Sequence, residues 1–226
     1  MTVLTLDSSS QTAAVGIYRD GAALYESFLH TGLTHSETLG LMLEDAFRVT
    51  RLRAADLDQI AVTNGPGSFT GLRIGVAAAL GLGTGANVPV VGVSTLEALA
   101  QSAAHMNGLI CPVLDARRSQ VYTALFRAEH DTLTRLTEDA AEAIEIVKEK
   151  NAGESIFYLG DGANLCYNKE KDRLSPPLQY VRAYGVWRCA AEGHVCPADK
   201  LRYLRLPQAE RERKERLARE ADQARQ

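Results

Sequence analysis

Two aspartates, Asp7 and Asp115, each close a short apolar run and precede a polar turn and a second apolar run. A carboxylate at the end of a strand can orient metal-bound water around a polyphosphate. The competing role is local, because an aspartate also fixes a turn by hydrogen-bonding its own backbone. For Asp7, followed by Ser8, Ser9 and Ser10, both roles stand open. Asp115 precedes Ala116, Arg117 and Arg118, where a phosphate-cradling turn favours small residues that let N–H groups approach, so turn fixing is favoured there. Asp161, in Gly160-Asp161-Gly162, is a third loop carboxylate.

The densest motif runs from Asn64 to Gly75 as Asn64-Gly65-Pro66-Gly67-Ser68-Phe69-Thr70-Gly71-Leu72-Arg73-Ile74-Gly75. It has neither the lysine of a Walker loop nor GxGxxG spacing, and it lacks the GxSxG of a nucleophile elbow. Ser68 has no histidine and acid assignable to it as a nucleophile. Turn geometry accounts for the glycines, with an anion site at the following helix N-terminus left open. The five histidines form no HxxxH or HExxH pair, and the four cysteines form no CxxC, so zinc, redox and metalloprotease chemistry are not indicated. Reduced thiols are expected.

The elements that must position these residues follow from patterning. Val3 to Asp7, Ala13 to Tyr18 and Ala22 to Phe28 read as an antiparallel meander with a turn at Asp20-Gly21. Thr34 and Glu37 form a capping box, so a helix starts near His35. Leu39, Met42, Leu43, Ala46 and Val49 keep helical spacing, whereas Leu41 and Phe47 lie off that stripe, which predicts two covered faces, one of them by another subunit. Gln59 to Val62 reads as a strand and Leu72 to Gly85 as a helix. In that helix Gly71, Gly75, Ala79 and Gly83 recur every four residues and make a flat face for close approach.

Val88 to Val93 reads as a strand and Thr95 to His105 as a helix capped by Ser94. Leu114-Asp115-Ala116 followed by Val121 repeats Leu6-Asp7-Ser8 followed by Ala13, which predicts an internal duplication. Val121 to Phe126 and Ile156 to Leu159 read as strands, Glu138 to Lys150 and Arg182 to Glu192 as helices, and Asn168 to Pro177 as a polar loop. The expected division is residues 1–108, 109–207 and a charged tail, 208–226.

With 25 basic against 28 acidic residues the chain carries a formal charge of -3, unlike a lone nucleic-acid binder, so RNA contact is expected to be shared with a partner. No stretch approaches the ~20 apolar residues of a membrane span and no leader pattern opens the chain, so a cytoplasmic protein is expected.

The run Gly65 to Gly75 closely resembles the signature of the bacterial TsaB family, also called YeaZ, the tRNA threonylcarbamoyladenosine biosynthesis proteins. Leu4 to Val15, His35-Ser36-Glu37, Asp115 to Arg118 with Val121-Tyr122, and Tyr203-Leu204-Arg205 are similar to that family too. The resemblance implies an α/β, duplicated actin-like fold (ASKHA, ribonuclease H-like) with mixed sheets flanked by helices. It implies a complex with the homologous catalytic subunit TsaD and the ATPase TsaE, which transfers threonylcarbamoyl from its adenylate to N6 of adenosine 37 in tRNAs reading ANN codons.

In the catalytic paralogue two histidines on one helix bind the metal, whereas here His35 is followed one turn on by Leu39. A non-catalytic scaffolding subunit is therefore expected, one that binds and activates TsaD, forms a homodimer when alone and meets tRNA only within the complex. Its expected interface is His35, Glu37, Leu39, Met42, Leu43 and Ala46 on one helix and Leu72, Arg73, Gly75 and Ala79 on the next. Asp7, Ser8 and Ser9 would be a vestigial nucleotide site. No cofactor is expected on this chain, with ATP or ADP and magnesium on the partner subunits. The alternative is a stand-alone ASKHA-type ATPase or phosphotransferase built on Asp7, Ser8 to Ser10 and Asp161.

Overall fold

Apolar runs joined by two short turns fold, as expected, into a meander. β1 (Thr2–Asp7), β2 (Ala13–Arg19) and β3 (Ala22–Leu29) are antiparallel, with Asp7 opposite Ala14. The structure, a computed structural model, describes residues 1–205 of the 226, so Leu206 and the charged segment 208–226 lie outside the described residues. α1 (His35–Thr50) returns the chain to β4 (Gln59–Thr63), parallel to β1. α2 (Phe69–Ala86) then leads to β5 (Val90–Val93), parallel to β4, and α3 (Thr95–Gln101) follows.

The second sheet repeats the plan. β6 (Gly108–Asp115) pairs antiparallel with β7 (Gln120–Thr123) and β8 (Phe126–Glu129), which hold one register across the break at Ala124-Leu125. β9 (Thr132–Arg135) and β10 (Ala140–Ala143) flank β8 and β7. After α4 (Ile144–Lys150), β11 (Ile156–Leu159) lies parallel to β6, and after α5 (Ala163–Cys166), β12 (Arg173–Leu174) lies parallel to β11. The orders β3-β2-β1-β4-β5 and β10-β7-β6-β11-β12 match strand for strand, which is the duplication read from the two aspartate turns.

The expected helix Glu138 to Lys150 is corrected by this arrangement. Its first residues add a strand to the edge of β7, and pairing of their backbone overrides helix propensity until Ile144. The expected loop Asn168 to Pro177 likewise contributes the two residues of β12.

α6 (Ala183–Ala191) packs on α3 and on β1, while α3 packs on β6, so each half lends a helix to the other half's sheet. A Cβ on Gly185 would overlap the Ala98 carbonyl oxygen, so the two helices cross in backbone contact. One core joins both sheets through Val3, Ala61, Leu96, Leu99, Ile110, Leu114, Val186 and Cys189. After α6 the chain returns as β13 (Cys196–Pro197), antiparallel to β5.

α2 is long and apolar enough, by length and composition, to cross a membrane, contrary to the sequence expectation. Its Leu72, Gly75, Val76, Ala79 and Gly83 are instead buried, and Val76 and Ala79 pack into the core beneath the first sheet with Leu39, Met42 and Ala46 of α1. The four-residue stripe thus faces inward. A Cβ on Gly71 or Gly75 would overlap Ser8, and one on Gly83 would overlap Val90. Gly81 and Gly85, on the opposite side, meet nothing within 4 Å.

These two glycine sets predict opposite effects. Gly75→Ala overpacks the Ser8 contact and destabilises by about 1–3 kcal/mol. Gly81→Ala stabilises by roughly 0.5–1 kcal/mol, because it removes only glycine's helix penalty. Urea unfolding of both variants checks the signs, and equal destabilisation would contradict the inward stripe.

Candidate functional site

The Asn64–Gly75 segment makes its own anchorages. Asn64 Nδ2 donates to the carbonyls of Pro197 (3.2 Å) and Lys200 (3.1 Å), and Asn64 O accepts from the Arg202 N–H at 2.8 Å. Gly65 O accepts from the Thr95 N–H at 2.9 Å, tying the loop to the start of α3. The Ser68 N–H donates to Ser9 O at 2.7 Å, while Ser68 Oγ caps α2 by accepting from the Gly71 N–H at 3.2 Å. Two donors at the start of α2 are therefore already engaged within the chain, which weakens the anion-site reading.

The β1–β2 turn lies beneath this loop. Ser8 Oγ donates to Gly71 O at 2.9 Å, and His35 Nε2 lies 2.9 Å from Ser10 O. A Cβ on Gly67 would overlap Ser9 O. Asp7 is fully buried, with Oδ1 accepting from Thr63 Oγ1 at 2.6 Å and from the Ser9 N–H at 3.3 Å. Its Oδ2 has no partner among the described residues. Burial pushes the Asp7 pKa up, against the opposing pull of its Ser9 and Thr63 hydrogen bonds.

Across a cleft of about 430 Å³, the turn after β6 faces Ser9, Ser10, Gln11, Gly67 and Ser68. There Arg117 takes both oxygens of Asp115, its N–H donating to Oδ1 at 2.7 Å and Nη1 to Oδ2 at 3.0 Å. Arg117, Arg118 and Ser119 all adopt positive φ (64°, 56° and 57°). Asp161 Oδ1 accepts from the Asp115 N–H at 3.0 Å. Burial, helped by the Asp115 charge, pushes Asp161 up, while the Asp115 N–H and Arg117 pull it down. The cleft thus carries its own cation.

The family model for tRNA N6-adenosine threonylcarbamoyltransferase (TsaD) matches residues 30–170. The tRNA threonylcarbamoyladenosine biosynthesis protein TsaB of Bacillus subtilis is 31% identical, across 93% of this chain and 96% of that protein. The chain belongs to the TsaB family. The Escherichia coli TsaB is 33% identical, over 66% of each chain. The structure of YeaZ from Pseudomonas aeruginosa superposes with a TM-score of 0.77 at 25% identity, covering 91% of this chain and 99% of that one. At 11% identity and a TM-score of 0.50, component A of (R)-2-hydroxyglutaryl-CoA dehydratase from Acidaminococcus fermentans shares the fold alone, over 84% and 99% of the two chains. The fold is the actin-like α/β fold that the signature implied.

The expected site residues divide sharply. Asp7 and Ser8 lie behind the Asn64–Gly75 loop, and this corrects their reading as nucleotide ligands, because the loop's packing seals them from the cleft. Ser9, of the three, lines the cleft, and its Oγ has no partner among the described residues. Leu39, Met42, Ala46, Leu72, Gly75 and Ala79 are buried within the chain, which removes them from any partner surface. The physical reason is the direction of the glycine stripe: a helix without Cβ atoms on one face is drawn to its nearest neighbours, here Ser8 at Gly71 and Gly75 and the Val88–Val90 segment at Gly83.

His35 is half-buried and ties α1 to the β1–β2 turn, and Glu37 serves the capping box by accepting from the Thr34 N–H at 3.0 Å. Leu43 is half-buried against the core. Arg73 stays exposed, its guanidinium 3.8 Å over the Phe69 ring and its Nε donating to Tyr203 Oη at 3.0 Å.

Sequence reasoning missed a polar tie centred on Asp139 and Arg135. Asp139 accepts from Ser94 Oγ (2.7 Å), Arg135 (2.7 Å) and Arg202 (3.3 Å), and Glu97 accepts from Arg135 at 2.6 Å. No spacing rule links three such distant segments. The four cysteines are free, and burial pushes the Cys111 thiol up to about 12 and Cys166 up to about 11.

Asp7 supplies a pH test. Its folded pKa is raised, so its favourable contribution is complete below the ordinary carboxylate range and is lost as pH rises through the folded value. Asp7→Asn keeps the Thr63 hydrogen bond without the buried charge. Its melting temperature should exceed that of the parent at neutral pH, with the advantage shrinking as pH falls to about 4. Chemical or thermal melts at three pH values check this, and a variant less stable at pH 7 than at pH 4, relative to the parent, contradicts it.

Proposed function

We propose that this chain is a non-catalytic scaffolding subunit of tRNA threonylcarbamoyladenosine biosynthesis, which binds and activates the catalytic paralogue TsaD through the outer faces of α1 and α2. The carrying observation is the chemistry of those faces. Leu41 is 67% exposed on α1, and Val49, which helical spacing places in the inward stripe, is 54% exposed in the last turn, beyond the final buried residue Ala46. Beside them α2 turns out Ala77, Gly81 and Gly85, and Arg73 is its one charged residue. Exposed Glu44 and Arg48 flank Leu41 and Val49, and the small outer residues of α2 beside them suit close helix-to-helix docking, since exposed apolar surface marks interaction sites.

The family's name and the match of residues 30–170 to a threonylcarbamoyltransferase model support the pathway and a paralogous partner. Under this reading the same face forms a homodimer when the chain is alone, TsaE joins the assembled complex, and tRNA is met only there. ATP or ADP with magnesium belongs to the partner subunits, and the work is cytoplasmic, where tRNA is. Against a stand-alone ATPase or phosphotransferase stand the sealed Asp7 and Ser8 and the Arg117 guanidinium on Asp115. Favouring it is the cleft between the two aspartate turns, lined by Ser9, Ser10 and Asp161, and calorimetry with ATP and magnesium separates the two. Tight binding by the isolated chain would favour the enzyme.

The decisive assay is reconstitution: the purified chain should transfer no threonylcarbamoyl, and adding the catalytic paralogue should start transfer. Leu41→Asp combined with Val49→Glu should weaken that association roughly tenfold or more while leaving the melting curve in place. Transfer by the chain alone, or full association by the double variant, would sink the proposal.

A further inference from the structure

A second surface carries a different chemistry: β3 packs on α1 through Tyr25 and Leu29, and Phe28, between them in alternation, faces the other side of the sheet. On edge strand β3 and the segment leading into α6, the Arg182 guanidinium lies 3.6 Å over the Phe28 ring. The Tyr180 ring sits 6.4 Å from Phe28 and 5.0 Å from His30, edge-on to the latter. A cleft of about 370 Å³ opens beside them, bounded by Phe28, Arg182 and Tyr184, with Glu26 and Ser27 at its wall. Arg182 and His30 are exposed, and neither forms an ion pair among the described residues.

An arginine stacked on an aromatic ring keeps its forked N–H groups aimed outward, and with no carboxylate partner those donors suit a phosphate. The neighbouring rings, Tyr180 half-buried and Tyr184 and His30 exposed, each pair a π-face with a polar atom, that of Tyr184 already accepting from Arg188. That combination stacks a base and hydrogen-bonds its edge, the way proteins read unstacked nucleotides of single-stranded RNA. Glu26, which already accepts from Tyr18 Oη, keeps acceptor capacity for an exocyclic amine. A protein partner would be better served by the aliphatic face of α1 and α2.

We infer that this face takes one unstacked nucleotide of the substrate tRNA, its base on the Tyr180 and Phe28 rings and its phosphate on Arg182. The inference rests on the proposed role in tRNA modification. It also fits a chain of net charge -3, because a single stacked nucleotide adds to a complex's affinity without a basic surface.

The test uses the full chain assembled with the catalytic paralogue. Fluorescence anisotropy gives the tRNA Kd across a salt series, and calorimetry gives the subunit affinity separately. Tyr180→Ala should raise the tRNA Kd about fivefold or more with the salt slope unchanged, and Tyr180→Phe, which keeps the stacking face and loses only the hydroxyl, should raise it by less. Arg182→Ala should raise the Kd and reduce the salt slope by about one, whereas Arg182→Lys should restore the slope and not the whole affinity. Subunit affinity and melting temperature should hold throughout. An unchanged tRNA Kd in both alanine variants overturns the inference. So does a loss of subunit affinity at constant tRNA Kd, which would make this a protein-docking face, and so does a loss that tracks the melting temperature. Failure of the parent chain to join the paralogue appears in the calorimetry and overturns the scaffold reading together with this one.

Discussion

The structure depends on one close approach, that of α2 and its leading loop to the β1–β2 turn at Ser8 and Ser9. Gly67, Gly71 and Gly75 lack side chains where the oxygens of Ser8 and Ser9 stand, and Ser8 Oγ and Ser9 O complete the contact with hydrogen bonds. Once α2 is held at that distance, its orientation is settled. Leu72, Val76 and Ala79 must enter the core, and Ala77, Gly81 and Gly85 must face outward. The same contact seals Asp7 beneath the loop, where an uncompensated carboxylate oxygen is costly in its charged form.

The two halves share one plan and have diverged at the equivalent turn. In the first, small serines allow the glycine loop to lie on the turn. In the second, Arg117 bends through left-handed backbone to place its guanidinium on Asp115, with Asp161 beside it. Two carboxylates that could face a metal-bound polyphosphate are thus engaged from within, one by burial and one by a resident cation.

Much of the fold was legible because local signals agreed with the tertiary answer. The meander, the capping box at Thr34 and Glu37, and the repeated aspartate turn each have a short-range cause. Glu138 to Lys150 misled because edge pairing with β7, a long-range interaction, captured residues of good helix propensity. The candidate interface was legible only in part. A small-residue stripe states that something comes near and not whether it is the chain's own backbone, so Leu39, Met42, Gly75 and Ala79 pointed inward instead of outward. The signal for the outer face was present in Leu41, the leucine that departs from α1's stripe. The Phe28, Tyr180 and Arg182 stack joins segments about 150 residues apart and has no sequence signature at all.

Hydrogen exchange measured by mass spectrometry, on the chain alone at a concentration below self-association and then with the catalytic paralogue, addresses the central claim directly. The account predicts new protection in peptides covering α1 from Leu39 to Thr50 and α2 from Arg73 to Ala86, with the peptides of the Asp115 and Asp161 turns unchanged. Protection confined to those turns, or absent from α1 and α2, would contradict it.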